Sequence, residues 1–397
     1  MAPSCMSFEP DPFNTNLAES VKGIQRYLFR VSDPLSSGNT STSEVCSPAA
    51  QQHNTQPTPC DLYQLSPTDA AQMLNSHLWG HCCGRDTDDS RRCNLMSWTS
   101  SLLVACQYAV NRHASLHAAP AMSDITILIV DTKQFGPGGQ VFVRDLQAVA
   151  AYHKGVAGPD SEEENHQLTM LHEQHSSGTH YTGEYLSQGR LKLDPERCCA
   201  VSVQRLVGLG LFQICEGVGE REHWHQWPER ITQLREGAQR LPPPEVEIPD
   251  EMLQTVVKVA AAFTEFEVAV GVMLLGLTPY EASRRNAKKA KQHHLLYGQN
   301  TLGGHIEHLP ELQAVKKWYE GFREVSVFRI RRVKKFIAPM PEEDEEDAGG
   351  EKDEESKKKK QEDKDDKDDK DDKDDKDDKD DKDDEGTQDD RLRDQHV

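Results

Sequence analysis

The chain has 397 residues and a formal net charge of −21. The segment from Glu342 to Val397 holds 30 acidic against 14 basic residues, a net charge of −16, so the rest of the chain carries only −5. A body this close to neutral gives no electrostatic reason to expect nucleic-acid binding. Without that segment, the length still leaves room for more than one domain.

Cysteine usage and the lack of targeting signals predict an intracellular protein, cytoplasmic or nuclear. The ten cysteines would suit disulfides in a small secreted protein, but this chain is long. Its start, MAPSCMSFEPDPF, has no basic segment followed by an apolar run. The most apolar stretch, Val268–Leu277, is too short to span a bilayer, so no membrane association is expected.

The N-terminal part of the chain predicts an α+β fold. Residues 1–22 are expected to be an extension, followed by a domain at 23–240. Residues 39–59 are rich in Ser, Thr, Gln and Pro, which predicts a disordered surface insertion. Runs rich in β-branched and aromatic residues predict strands at Tyr27–Val31, Ile125–Val130, Val141–Val143 and Cys199–Val203. Irregularly spaced strands and helices favour α+β over a doubly wound parallel sheet.

Helices are expected at two places in this domain. A Ser/Thr cluster precedes an apolar periodic run within Ser97–Ala109, which predicts a helix start. A second helix is expected to begin in Leu146–Tyr152. The polar and acidic stretch Gly155–Ser177 predicts a loop.

Beyond the prolines at 242–244 and 249, the sequence predicts a helical and basic subdomain at 250–337. The Ala/Val-rich segment Met252–Leu277 has helical character, and Glu281–His294 predicts a second helix with one basic face. The segment Val325–Ile337 is a further basic, apolar-interleaved strip. Its residues 329–335 suit either a nuclear import signal or a half-buried strand.

The C-terminal segment 342–397 contains KDD repeats and almost no apolar residues, so it predicts a disordered acidic tail. Two roles remain open. The tail is a solubilising extension, or it pairs electrostatically with the basic strips at 284–291 and 329–335 until a competing anion arrives.

Clusters of potential metal ligands do not have the spacing of known sites. His81, Cys82, Cys83 and Cys93 include no C-x-x-C pair. His172 and His175 are three residues apart, whereas a zincin helix needs histidines four apart. The HWHQW cluster at 223–227 predicts packing with a polar rim. No metal site is therefore expected.

The sequence also lacks G-x-G-x-x-G, Walker A and G-x-S-x-G motifs. It does contain Arg30 at the end of a strand, then the Ser/Thr cluster 99–101 at a strand-to-helix junction, and later Glu184. This order resembles the Arg, Ser-Thr-Ser, Glu signature of ADP-ribosyltransferases. The strings SWTSSLLVACQYA, DITILIVDT, VFVRDL and TGEYLSQGRL look like an uncharacterised family of fungal domains with that layout. The similarity covers roughly residues 25–216, with the helical part up to Arg285 as a further candidate.

The resemblance implies a split β-sheet core with flanking helices, and an NAD pocket in which NAD is a substrate. It implies catalytic roles for Arg30, Ser100 and Glu184. It places the cofactor against Arg30, Trp98, Thr99, Ser100 and Tyr185. In such a pocket a carboxylate stabilises the ribosyl cation that forms as nicotinamide leaves, while a guanidinium binds phosphate or ribose oxygens.

One departure from the family pattern leaves the activity open. Arginine-modifying transferases resemble one another in carrying Gln or Glu two residues before the catalytic glutamate, where this chain has Thr182. Transfer to protein, hydrolysis of NAD and loss of activity all remain possible. The alternative function is a non-catalytic interaction module that keeps the fold and binds a protein or anionic partner. In that reading Arg30 is an ion-pair partner and the Ser/Thr cluster is a helix cap.

Overall fold

The structure is a computed structural model. It describes residues 5–11, 14–51, 60–78, 93–114, 119–136, 140–153, 168–173, 184–227, 229–239, 247–279 and 289, and of Glu184 and residues 236–239 only the main chain. Contacts divide the chain into two units, Met1–Ala338 and Pro339–Val397. The second unit, and with it the predicted tail at 342–397, lies outside the described residues, as does the strip at 329–335.

A nine-stranded sheet organises the described part of the chain. Its strands are Cys5–Met6 (β1), Tyr27–Ser32 (β2), Asn39–Thr40 (β3), Glu44–Cys46 (β4), Leu95–Thr99 (β5), Thr126–Asp131 (β6), Val143–Arg144 (β7), Glu184–Lys192 (β8) and Cys198–Ser202 (β9). The order is β3-β4-β8-β5-β2-β6-β9, while β1 and β7 also pair with β8. Each pairing is antiparallel. The prediction of a mixed α+β fold is confirmed at this level.

The predicted strands agree closely with those observed. The runs predicted at 27–31, 125–130 and 199–203 correspond to β2, β6 and β9, each displaced by at most one residue at either end. The run predicted at 141–143 forms a strand only at Val143–Arg144. Val141 and Phe142 are buried nonetheless, so their apolar character reflects core packing rather than sheet pairing.

The sheet consists of two halves that meet at one residue pair. Strands β2 and β6 share six register pairs, and β5 and β8 share five. Between β2 and β5 the register contains only Phe29 opposite Thr99. The junction between the halves therefore lies beside Arg30 and the Ser/Thr cluster.

The sheet curls into a half-barrel with an apolar interior. The Arg30 Nε donates to Thr40 Oγ1 at 3.1 Å, which joins β2 to β3 at the far end of the strand order. The Cys198 thiol contacts the Thr42 carbonyl, and the Leu193 amide donates to the Ser43 carbonyl. The interior is lined by a buried cluster that includes Leu28, Met96, Trp98, Leu128, Val130, Phe142, Tyr185 and Leu191.

The prediction of a disordered insertion at 39–59 is wrong for residues 39–51. Residues 39–46 form the β3–β4 hairpin, which pairs with β8, and Pro48–Gln51 is a short helix. Val45 is fully buried. The low apolar content of this segment is misleading because Val45 alone packs into the half-barrel interior, while main-chain pairing with β8 holds the rest of the hairpin. Residues 52–59 lie outside the described part.

Helices cover the outer faces of the sheet in two apolar layers. They are Thr15–Ser20 (α1), Pro48–Gln51 (α2), Pro67–Leu78 (α3), Leu102–Ala114 (α4), Asp145–Tyr152 (α5), Val203–Leu209 (α6), Leu211–Ile214 (α7), Glu216–Gly219 (α8), Glu229–Gln239 (α9), Asp250–Ala261 (α10) and Glu267–Gly276 (α11). Leu17, Leu74 and Val149 of α1, α3 and α5 pack in one cluster, together with Leu186 of β8. No helix within the described ranges combines the length and apolarity needed to cross a membrane.

The helical segment predicted at Met252–Leu277 is present as two helices, α10 and α11. The second helix predicted at Glu281–His294 lies outside the described residues, apart from residue 289. However, Val256 and Val270 lie in the same buried cluster as Phe29, Ile127 and Leu103 of the α+β domain. The predicted boundary between 240 and 250 is therefore not a boundary between two cores. These helices are strongly apolar because they complete the core over β2, β6 and β9.

Two other irregular-looking segments are also integrated into the domain. In the predicted N-terminal extension, β1 pairs with β8, and Phe8 is fully buried. Within the predicted loop at 155–177, residues 168–173 are helical and Leu168 is fully buried. In each case one or two buried apolar residues anchor a mostly polar segment to the core. So few residues give no hydrophobic period in the sequence, so the segment resembles a loop.

Two glycines of α6 should respond in opposite directions to alanine. Gly210 ends the helix with φ +111°, and an added Cβ would collide with Thr255 of α10. Gly208 lies inside the helix and a Cβ there would meet nothing within 4 Å. We expect Gly210→Ala to lower the free energy of unfolding by roughly 1–3 kcal/mol and Gly208→Ala to raise it by about 0.5–1 kcal/mol. Urea denaturation measures both, and a gain in stability for Gly210→Ala would contradict the left-handed cap.

Candidate functional site

Three neighbouring strands bring the predicted site residues together at the main-chain level. Glu184 begins β8 and lies opposite Thr99, the last residue of β5. Thr99 in turn lies opposite Phe29, the residue before Arg30 in β2. These strands are far apart in the sequence: Arg30 and Ser97, which share a hydrogen bond, are separated by 67 positions. Distant segments therefore meet where the two halves of the sheet join. The side chain of Glu184 is outside the described atoms.

Arg30 is nearly buried and its guanidinium is held by the protein. Besides the bond to Thr40, Nη1 donates to the Ser97 carbonyl at 2.9 Å. The guanidinium carbon lies 5.9 Å from the centre of the Trp98 ring, within the range of a cation–π contact. Arg30 thus links β2, β3 and β5 across the half-barrel.

The Ser/Thr cluster caps helix α4, as the sequence predicts. Thr99 Oγ1 accepts from the Ser101 amide at 3.1 Å, and Ser101 Oγ accepts from the Val104 amide at 3.2 Å. These bonds satisfy main-chain donors that have no partner within the helix. Ser100 differs from its neighbours because its hydroxyl forms a side-chain hydrogen bond with Tyr185.

Trp98 and Tyr185 are both buried in the half-barrel. The Trp98 Nε1 donates to Ser187 Oγ at 2.8 Å, and the indole packs edge-to-face on Phe142 with ring centres 5.4 Å apart. Tyr185 lies opposite Trp98 on β8 and opposite Arg144 on β7. Burial raises the pKa of Tyr185 to about 12, although the Ser100 hydrogen bond and the charge of Arg144 act to lower it. The Tyr185 phenol is therefore neutral at physiological pH.

The raised pKa of Tyr185 predicts a loss of stability in alkali. The folded protein keeps a proton that the unfolded chain releases near pH 10. The stability that the protonated Tyr185 phenol contributes is thus fully present below about pH 10 and is lost as pH rises towards about 12. When the pH rises from about 8 to about 11, the free energy of unfolding should fall by roughly 1 kcal/mol less in Tyr185→Phe than in the wild type. Urea titrations at both pH values measure this, and equal losses would contradict it.

Sequence reasoning did not identify Arg144 and His77 as neighbours of this site. Arg144 lies in the string VFVRDL, and its positive charge acts to lower the pKa of Tyr185. The His77 Nε2 lies 2.8 Å from Ser97 Oγ, and its Nδ1 lies 3.2 Å from the Cys93 sulfur. Arg144 could have been noticed as a charged residue directly after an apolar strand. His77 gave no local signal because its partners are 16 and 20 residues away.

The candidate metal ligands are mostly engaged elsewhere or lie outside the described residues, as His81, Cys82 and Cys83 do. His172 stacks on His153 with ring centres 4.1 Å apart. Trp224 is buried in the core, as predicted for the HWHQW cluster. Ligand atoms of Glu220, Glu222 and His223 lie within 4.8 Å of one another. Both carboxylates are exposed, and Glu220 also pairs with Arg230 at 2.5 Å, so this group is no evidence for an ion.

One residue of the predicted basic strip at 284–291 is described. The Lys289 ammonium lies 3.2 Å from a Glu247 carboxylate oxygen and 3.0 Å from one of Asp250. These hydrogen bonds raise the pKa of Lys289 above its ordinary value. This position of the strip is therefore already neutralised by acids next to α10. Pairing of the acidic tail with the strips remains a prediction.

The fold and the polar cluster define a mixed α+β domain built on a curled antiparallel sheet with buried Arg, Trp and Tyr side chains on its inner face. Residues 23–192, which include these positions, match a family model described as a domain of unknown function (DUF7587). No curated protein and no solved structure matches the chain. The match confirms the prediction of an uncharacterised domain over this region. It names no source organism and no transferase, so the fungal and transferase assignments remain predictions.

Proposed function

We propose that the chain binds NAD at the junction of β2, β5 and β8 and acts as an ADP-ribosyltransferase-like enzyme or NAD glycohydrolase. The observation that carries this proposal is the register at the junction. Glu184 lies opposite Thr99, and Thr99 lies opposite the residue preceding Arg30. The three parts of the Arg, Ser/Thr, Glu order are thus adjacent in space although they are distant in the sequence.

The arrangement of the sheet gives further support. The resemblance implies a split sheet, and the two halves here share one register pair. The junction lies at the N-terminal end of α4, where main-chain amides and Ser/Thr hydroxyls converge. The Ser101 and Val104 amides are used by these caps, so it is the positive end of the helix dipole that would favour the phosphate oxygens of a nucleotide here.

The proposed chemistry needs one carboxylate and no metal-bound step. The bond between ribose C1′ and the nicotinamide nitrogen breaks, and its electron pair leaves with nicotinamide. Positive charge then develops on the ribose, and the Glu184 carboxylate would stabilise it. Water or a protein side chain attacks C1′ and loses a proton to solvent. Ser100 would orient the ribose, and Arg30 would contribute its positive charge while it holds β2, β3 and β5 together.

A second candidate is a non-catalytic interaction module, and a specific observation favours it. The Arg30 guanidinium is bound to Thr40 and to the Ser97 carbonyl, while Thr99 and Ser101 cap α4. These contacts explain the residue types without a ligand. The two functions differ in whether the junction binds NAD at all.

The decisive measurement is thermal unfolding of the full chain with and without NAD, combined with detection of released nicotinamide. Ligand at about 100 times its dissociation constant adds about 2.7 kcal/mol of stability, so we expect a rise in Tm of several degrees. We also expect nicotinamide to accumulate with time. A rise in Tm without nicotinamide would establish an NAD-binding module that lacks activity. No rise and no nicotinamide would reject the proposal in favour of the interaction module.

A further inference from the structure

We infer that Arg144, rather than Arg30, is the guanidinium that binds the phosphate groups of a dinucleotide at this site. The inference rests on the proposed function and deepens it by assigning the anionic part of the ligand. Neither the Arg, Ser/Thr, Glu order nor the family match singles out this residue.

Arg144 lies in one row of residues with the aromatic side chains of the site. It is opposite Tyr185 in the β7–β8 pair, and Tyr185 is opposite Trp98 in the β8–β5 pair. Directly opposed residues of antiparallel strands project from the same face of a sheet. The Trp98 ring in turn contacts the Arg30 guanidinium. The two arginines therefore stand at the ends of one row, three strand spacings or about 14 Å apart, which one dinucleotide can bridge.

The donors of Arg144 are less completely used than those of Arg30. Its Nη2 donates to the Glu19 carbonyl at 3.2 Å. Its Nε is buried and meets no hydrogen-bond acceptor within the described part of the chain. Buried donors in folded proteins nearly always have a partner, so a buried guanidinium nitrogen without one suggests an acceptor supplied from outside.

A phosphate provides the acceptor geometry that this guanidinium requires. The planar fork of arginine matches two oxygens of one phosphate, which gives short and strong charge-assisted bonds. Tyr185, directly opposite Arg144 in the β7–β8 pair, brings its phenol and the Ser100 hydroxyl bonded to it into the same region. Two neutral hydroxyls next to a cation form a site that suits a phosphate ester.

A negative group also lies nearby and sets a limit on the affinity. Asp145, the first residue of α5, is fully buried, and its charge raises the pKa of Tyr185 while that of Arg144 lowers it. The site therefore holds charges of both signs and would bind bare phosphate weakly. A nucleotide, which adds a base and ribose to the phosphates, gains contacts that a free anion lacks.

The test compares NAD with nicotinamide riboside, which lacks phosphates, by calorimetric titration of the full chain. We expect Arg144→Ala to weaken NAD binding about tenfold or more and to leave nicotinamide riboside within about twofold of wild type, since a charged hydrogen bond is lost only for NAD. Arg144→Lys should bind NAD with intermediate affinity, because it keeps the charge but not the fork. Arg205→Ala, at an exposed arginine of α6, controls for net charge and should bind both ligands like the wild type.

Each outcome bears on the inference. Wild-type NAD affinity in Arg144→Ala, or an equal loss for both ligands, would overturn it. If the wild type binds neither ligand, the NAD proposal fails, and inorganic pyrophosphate then tests the anion site alone by thermal unfolding. A rise in Tm with pyrophosphate in wild type but not in Arg144→Ala would keep the anion site without NAD. If the Tm rises in neither protein, both the NAD proposal and the Arg144 anion site are rejected.

Discussion

Replacing Asp33 by alanine is expected to lower the free energy of unfolding by about 3–5 kcal/mol, because it leaves the buried charge of Arg112 without its carboxylate. The two side chains form a bidentate pair at 2.6 and 3.1 Å, and the Asp33 side chain is fully buried. Asp33 follows β2 and Arg112 lies in α4, so the pair fixes the helix against the end of the strand. Asp33 Oδ1 also accepts from the Leu35 amide, which adds to the loss. Urea denaturation at neutral pH measures the effect.

Two control variants separate the loss of the Asp33–Arg112 ion pair from other causes. Asp33→Ala combined with Arg112→Met removes both charges, and we expect it to recover at least half of the lost stability. Arg197→Ala removes a surface pair with Asp194, whose atoms lie 3.7 Å apart and whose side chains are about half exposed, and should change stability little. If the double variant is as unstable as Asp33→Ala alone, the loss does not arise from leaving the Arg112 charge without Asp33.

Glu184→Gln is expected to reduce nicotinamide release from saturating NAD by about 100- to 1,000-fold, while NAD affinity changes by less than about threefold. Glutamine keeps the size and hydrogen-bonding shape of the side chain but removes the negative charge. That charge matters most when the ribose becomes cationic, so its loss affects the transition state more than the bound substrate. Nicotinamide release measured by chromatography, with calorimetry for binding, distinguishes the two.

Glu196→Gln is the matched control, since Glu196 is exposed in the turn after β8 and the same chemical change there should leave turnover unaltered. A Glu184→Gln variant that retains turnover within tenfold of wild type would remove the carboxylate from the mechanism. Equal losses of turnover and NAD affinity would instead assign Glu184 to binding.

Local sequence was sufficient for much of the secondary structure. The positions of β2, β6 and β9 followed from runs of β-branched residues, and the start of α4 followed from the Ser/Thr cluster that caps it. These signals succeed because strand propensity and helix capping depend on residues within a few positions of one another. The same locality explains the error at residues 39–46, where a hairpin of low apolar content is held by pairing with the distant strand β8.

The sequence by itself located β2, β6, β9 and the start of α4, and it showed Arg30, Ser100 and Glu184 in order without showing whether they meet. Only the tertiary structure decided that β2, β5 and β8 are neighbours, that Arg30 bridges the half-barrel to Thr40, and that Arg144 joins the row of Trp98 and Tyr185. The physical reason is that strand order and register depend on contacts between residues far apart in the chain. Such contacts form only when the whole apolar core is buried together, and no short window of sequence contains them.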